Sequence, residues 1–247
     1  MRVQRRVLAD NADDGDAVTM IVVGAGACVL PSWLVSVSPR CRVSAVEYSS
    51  EVIEAAWQCF GLNSVPRSQL EVLVEEGASF VARCAPHSYD AVFVTAGGLG
   101  DAAADDAGAM SESSEQLAPP AAMAARDFVA AVQRALRPGG LYAVNVLCRT
   151  EAAGRLLVRR IQQTMVDAGF CPAGIHVAIS GQPPTRNFLL FASSPPPEAA
   201  APSDAARPVD TDELLARYAA LCGTRHSHSR DSALPEWLPW ETFCANS

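Results

Sequence analysis

Residues 17–39 of this chain carry no charged side chain. A run of that length poses a membrane span or a displaced signal peptide, the more so with Arg2, Arg5 and Arg6 upstream. Its interior points elsewhere. Gly24, Gly26 and Pro31 interrupt it, Asp10, Asp13, Asp14 and Asp16 precede it, and its first part is β-branched. Those features fit a buried strand, a glycine turn and a helix, and no membrane association is expected.

The same rhythm recurs downstream. Strand-like apolar runs at residues 20–23, 42–46, 70–74, 91–94 and 141–146 alternate with stretches whose apolar residues keep helical spacing. Those stretches are Val52, Ala55, Ala56 and Cys59, then Phe128, Ala131, Val132 and Ala135, then Leu157, Ile161, Met165 and Ala168. Alternation of this kind predicts an α/β domain with a parallel sheet covered on both faces. Arg137-Pro138-Gly139-Gly140 ends the second helix and turns the chain into the next strand, and residues 176–179 and 187–192 read as a closing antiparallel pair.

Residues 97–116 are rich in Gly, Ala, Ser and acids without an apolar period, which predicts a mobile loop at the carboxyl end of the fourth strand. Open α/β sheets bind ligands at that edge. The expected organisation is an N-terminal segment 1–17, a domain 18–192, a Pro/Ala-rich linker 193–208 and a tail 209–247. Within the tail, residues 211–221 read as a short helix, and the aromatic stretch 235–240 is expected to dock back on the domain.

Composition narrows the function classes. With 49% hydrophobic and 19% charged residues, 247 residues can bury one sizeable core. Every basic residue is arginine, from which no mechanism follows. A net charge of -8 leaves no basic stripe for nucleic acid, whereas it tolerates a cationic substrate such as an amine or a basic peptide. Eight scattered cysteines without a CxxC pair read as free thiols in a reducing compartment, so a cytoplasmic location is expected. Cys222, His226 and His228 lack a fourth ligand, and no metal site is expected. Neither a Ser-His-Asp order nor a Gly-x-Ser-x-Gly elbow appears, so hydrolase chemistry has no support.

The strongest candidate site is Val22-Val23-Gly24-Ala25-Gly26-Ala27, where a strand runs into a glycine turn before a helix. Glycines there let the backbone bend sharply and approach a ligand. Glu47 follows 23 residues after Gly24, at the end of the second strand, where a carboxylate can accept both hydroxyl hydrogens of a ribose. A nicotinamide dinucleotide site competes, but its fingerprint wants Gly or Ala where this chain has Val29. Glu76 with Gly77, after the third strand, can face an adenine amino group, and a solvated strand-end acid is the equal alternative.

The run from Val22 through Gly24, Gly26 and Leu30-Pro31 begins a longer series of motifs. It continues with Ala45-Val46-Glu47-Tyr48, Phe60-Gly61, Glu76-Gly77, Tyr89-Asp90, Pro119-Pro120, Leu136 to Gly140, Asn145-Val146-Leu147-Cys148-Arg149 and Asn187-Phe188. In that order these motifs resemble the spermidine-synthase-like class I methyltransferases, most nearly the C-terminal domain of the elongation factor 1-alpha N-terminal methyltransferases. The resemblance covers about residues 18–192. It implies a Rossmann-like seven-stranded sheet, mostly parallel with an antiparallel C-terminal strand. It also implies S-adenosylmethionine as cofactor, held by Gly24, Ala25, Gly26, Glu47, Tyr48, Glu76, Gly77 and Thr95. Gly24 and Gly26 then lie beside its methionine part, Glu47 on the ribose, and Glu76 with Gly77 near the adenine.

Two departures from the family shape the functional expectation. Where the family carries acidic residues after the fourth strand, this chain reads Thr95-Ala96-Gly97, which disfavours aminopropyl transfer to a polyamine. Fewer than twenty residues precede the first strand, where the family has a segment that helps cover the cofactor, so a partner chain completing the site is one expectation. The leading reading is methyl transfer to a protein amine, with a translation factor as the type of substrate. The sulfonium already makes the methyl electrophilic, so the chain need only hold a neutral amine in line. The alternative is a non-catalytic partner-binding member of the fold. Asn145 and Arg149 fall at the productive edge, and no catalytic residue is assigned.

Overall fold

The computed structural model describes residues 17–97, 116–180, 187–195 and 236–239. The uncharged run forms strand β1 (Val18–Val23), a glycine turn and helix α1 (Val29–Val37), as its β-branched start and glycine interruptions require. Strands β2 (Cys41–Glu47), β3 (Leu70–Val74) and β4 (Tyr89–Val94) follow, separated by α2 (Ser50–Cys59) and α3 (Gly77–Arg83). Ser49 caps α2 by accepting the Val52 N–H, which satisfies one of the amides a helix start leaves free.

After the short strand β5 (Gln116–Ala118), α4 (Ala121–Ala124) and α5 (Arg126–Ala135) lead into β6 (Leu136–Cys148). Arg137 to Gly140 bulge out of β6, because Tyr89 pairs with Leu136 whereas Ala91 pairs with Leu141, and Gly139 takes the left-handed φ of 76° that the bulge needs. Helix α6 (Glu151–Asp167), β7 (Ile175–Ser180), β8 (Asn187–Ser193) and β9 (Glu236–Pro239) complete the described chain.

The sheet runs β3-β2-β1-β4-β6-β8-β7-β9, with β5 beside the end of β6. β1 pairs parallel with β2 and β4, β2 with β3, and β4 with β6, while β8 runs antiparallel between β6 and β7. The expected mostly parallel sheet with an antiparallel closing pair is therefore present, but with nine strands rather than seven, because β5 and β9 add to it. The tail docks back on the domain as expected, and does so as a strand: Glu236–Pro239 pairs antiparallel with β7 at the sheet edge, Trp237 in register with Ala178. The expected helix at 211–221, residues 98–115 of the loop expected at 97–116, and the Cys222, His226 and His228 set lie outside the described residues, while Gln116 begins β5 instead of ending the loop.

Two cores sandwich the sheet. Phe80, Phe128, Val132, Val158 and Ile161 from α3, α5 and α6 pack on one face against Val92, Val144 and Leu190. Leu34, Ile53 and Ala56 from α1 and α2 pack on the other against Met20, Val43 and Phe93. Each such aliphatic side chain taken from water contributes roughly 1.5–3 kcal/mol, which offsets the entropy of ordering the chain.

The amino-terminal edge of the sheet is closed by Asp90. Its Oδ2 accepts the Thr19 backbone N–H at 2.7 Å and hydroxyl at 2.9 Å, and Arg137 pairs with it at 2.6 Å. The Tyr89-Asp90 motif is thus a clasp between β1, β4 and β6, on the edge opposite the glycine turn. Among the described residues, no helix is long and apolar enough to cross a membrane.

Candidate functional site

The candidate site lies where β1, β2 and β4 end. Gly24 and Gly26 hold left-handed φ values of 74° and 54°, and Cys28, at φ 58°, enters α1 in the same region. The Gly24 and Ala25 N–H groups both donate to the Val46 carbonyl, which bends the turn over β2. The two glycines serve different ends. A Cβ on Gly24 would lie 2.2 Å from the Ala96 Cα, so this residue is glycine because the segment leaving β4 passes against it, whereas a Cβ on Gly26 would meet nothing within 4 Å. The space over Gly26 is the opening a ligand would fill.

Glu47 is buried, at 6% exposure, at the end of β2 beside the Gly26 turn. Its Oε2 accepts the Gly26 N–H at 2.9 Å and its Oε1 the Ser49 N–H at 3.2 Å. A carboxylate offers about four lone-pair sites, so each oxygen keeps capacity for a ribose hydroxyl. The Cys28 thiol lies in its field, and burial together with the Glu47 charge pushes that thiol up to about 11. Tyr48 is 77% exposed beside Glu47, an apolar ring without cover at the rim.

Glu76 and Gly77 divide the work at the end of β3. Glu76 caps α3, its two oxygens accepting the Ala78 N–H at 2.9 Å and the Ser79 N–H at 2.6 Å. Desolvation raises this carboxyl, but the two amide hydrogen bonds outweigh it and hold the group below its ordinary value. A Cβ on Gly77 would lie 2.3 Å from Val23 Cγ1, so this glycine sets the approach of α3 to β1. Glu75 is drawn away into an ion pair with Arg83.

Thr95 is tied to the glycine turn: its hydroxyl donates to the Gly24 carbonyl at 2.9 Å and its N–H to the Val23 carbonyl at 2.9 Å. Residues 95–97 thus brace the turn and place no carboxylate there. Register sets Val23, Val94 and Val144 side by side, so Gly24, Thr95 and Asn145 follow at one level on neighbouring strands. Asn145 Oδ1 and Asn187 Oδ1 are both buried without a hydrogen-bond partner.

The structure therefore gathers Gly24, Ala25, Gly26, Glu47 and Thr95 into one cluster at the ends of β1, β2 and β4, with Tyr48 on its rim and Glu76 and Gly77 at the end of the next strand, β3. Sequence reasoning missed the left-handed entry at Cys28 and gave no role to Asn145 and Asn187, although both open motifs of the resemblance. A groove lined by Ser32, Val35, Phe60, Val65 and Pro66 lies at the opposite edge and is lined by no ionisable side chain. Among the described residues, no group of three or more potential ligands gathers for a metal.

The glycine turn, the strand-end carboxylate and the sheet order decide the architecture. The fold is that of a class I methyltransferase. The human methyltransferase-like protein 13, solved in complex with S-adenosylhomocysteine, superposes with a TM-score of 0.57 at 20% identity, covering 90% of this chain and 89% of that one. A probable spermidine synthase from Corynebacterium glutamicum superposes at 0.54 and 20% identity, covering 90% and 76%. In sequence, an eEF1A lysine and N-terminal methyltransferase homolog of Drosophila pseudoobscura pseudoobscura is 28% identical over 144 residues, 58% of this chain and 20% of the relative. The chain thus spans about a fifth of the length of such relatives. No family model matches.

Proposed function

We propose that this chain binds S-adenosylmethionine over the Gly24–Gly26 turn and transfers its methyl group to a nitrogen on a protein. The observation that carries the reading is Glu47: a buried carboxylate at the end of β2, anchored to the Gly26 N–H, beside a turn where nothing occupies the space above Gly26. Burying a charge is costly even with two amide hydrogen bonds to it, and the lone pairs it keeps free suit a ligand that hydrogen-bonds there. The residues fit the cofactor: Glu47 for the ribose hydroxyls, Gly24 to Gly26 for the methionine part, Glu76 and Gly77 near the adenine, and Tyr48 as an exposed ring at the rim. Thr95 acts through the turn that it braces.

The cofactor supplies an electrophilic methyl on a sulfonium. The chain's own task is then to hold a neutral amine in line and to keep water out, which needs no strong base. The likeness to proteins named as eEF1A methyltransferases supports a protein acceptor, with a translation factor as the class to try first. A soluble, cytoplasmic setting agrees with the free thiols expected from the sequence.

One observation favours a second reading. Thr95 spends its hydroxyl on the Gly24 carbonyl where the family carries acids, so a partner-binding protein that keeps the cofactor as a structural device is the alternative. Titration with S-adenosylmethionine, followed by tritiated-methyl transfer onto a cell extract with and without candidate partners, separates the two. Binding with transfer supports the enzyme, and binding without transfer under every condition supports the alternative.

A further inference from the structure

Two buried acceptors stand without a donor near the candidate site. Asn145 lies on β6 and Asn187 at the start of β8, and their side-chain oxygens are buried and unpartnered. Register places them together: Asn145 faces Leu189 and Leu147 faces Asn187, so the two asparagines are diagonal neighbours on one face of the sheet. Leaving a buried polar atom unsatisfied costs roughly 1–3 kcal/mol, so two side by side call for a shared explanation.

Their position supplies it. Asn145 follows Val144, which is paired with Val94, and Thr95 follows Val94, so Asn145 sits one strand beyond Thr95 and two beyond Gly24. With strands about 4.8 Å apart, that is on the order of 10 Å from the glycine turn, the separation of a second ligand lying alongside the first. This face is also the one on which α1 and α2 pack, and their main contacts are with β2 and β3.

We infer that Asn145 and Asn187 bind the methyl acceptor, their amide oxygens accepting the N–H groups of an amine. The inference rests on the methyltransfer reading above. An amide oxygen accepts from a neutral amine without taking its proton, which leaves the nitrogen lone pair free to point along the strand edge toward the glycine turn. The nitrogen then forms a bond to the methyl carbon as that carbon's bond to sulfur breaks. Sulfur keeps the bonding pair, and the product ammonium gives its extra proton to water. The asparagines thereby orient the acceptor in a site whose β4 end, at residues 95–97, offers no carboxylate.

The test uses the full chain, with Asn145→Leu and Asn187→Leu variants and glycinamide as the probe amine. Calorimetry first measures S-adenosylhomocysteine binding, and proton NMR of the saturated complex then follows the glycinamide titration. The expected result is unchanged S-adenosylhomocysteine affinity, glycinamide binding weakened at least tenfold in each variant, and melting temperatures equal to or above the wild type. A donor-less acceptor exchanged for a similar apolar group leaves no bond broken, so a drop in melting temperature marks a structural role and overturns the inference. Wild-type binding of S-adenosylhomocysteine without glycinamide binding, or glycinamide binding indifferent to both substitutions, also overturns it. Loss of S-adenosylhomocysteine binding by the folded wild type instead overturns the cofactor reading on which it rests.

Discussion

Glu47 Oε2 accepts the Gly26 N–H at 2.9 Å, so the carboxylate proposed to hold a ribose also fixes the shape of the turn beside it. The same pair couples folding to binding. A left-handed glycine with open space above it is poised for a ligand, and the acid that poises it is buried at the price of desolvation.

The two turn glycines are predicted to fail differently. Gly24→Ala combines left-handed backbone, worth about 1–2 kcal/mol, with a contact against Ala96 that overpacks by about 1–3 kcal/mol. Its chemical-denaturation midpoint is expected to drop sharply. Gly26→Ala carries only the backbone cost of about 1–2 kcal/mol, so it folds, but its methyl enters the proposed cofactor space and weakens S-adenosylhomocysteine binding. Equal stability losses in the two variants would refute this division of roles.

Much of this was legible in the sequence. The β1–α1 run was readable because β-branched residues, glycines and a helical apolar spacing succeed one another without charge, and Glu47 because spacing alone puts it at the end of β2. The individual duties of the glycines were not, since Gly24 is set by Ala96, 72 residues away, and Gly77 by Val23 on β1. Asp90 illustrates the same limit: it belongs to a motif of the resemblance, yet its partners Thr19 and Arg137 make it a clasp at the far edge. Trp237 read as part of a docking tail, and no local pattern showed that Glu236–Pro239 pairs with β7.

Asp90→Ala removes two hydrogen bonds from Thr19 and the Arg137 pair. Bonds to a charged group are worth about 1.5–3 kcal/mol, and the exposed Arg137 partner adds at most about 1 kcal/mol. A stability loss of about 3 kcal/mol or more is expected by urea denaturation, with S-adenosylhomocysteine affinity unchanged. Lost affinity at retained stability would place Asp90 in the site after all.

His176 is buried on β7, and desolvation holds its imidazole below the ordinary histidine value. The unfolded chain therefore binds a proton that the fold resists, and stability contributed by the neutral ring is present above the unfolded value of about 6.5 and lost as pH falls below it. Thermal melts should show the wild type losing more stability between pH 7 and pH 5.5 than His176→Leu does. Identical pH profiles would show that this residue is not responsible.

Cysteine reactivity should follow burial and charge. Cys59 is exposed, whereas Cys28, Cys41 and Cys148 are buried, and the Cys28 thiol is pushed up to about 11 by burial and by Glu47. Iodoacetamide at pH 8, read by peptide mass spectrometry, is expected to label Cys59 first among the described cysteines and Cys28 only on unfolding. Early labelling of Cys28 would mean that the turn opens in solution.

The most direct measurement is calorimetric titration of the chain with S-adenosylhomocysteine beside Glu47→Ala and Glu47→Gln. Saturable binding by the wild type is expected. The alanine variant should lose about 10- to 100-fold in affinity, as removal of hydrogen bonds to a charged group implies, and the glutamine variant less. Absence of binding by the folded wild type, or equal binding by all three chains, would contradict the placement of the cofactor over Gly24 and Gly26.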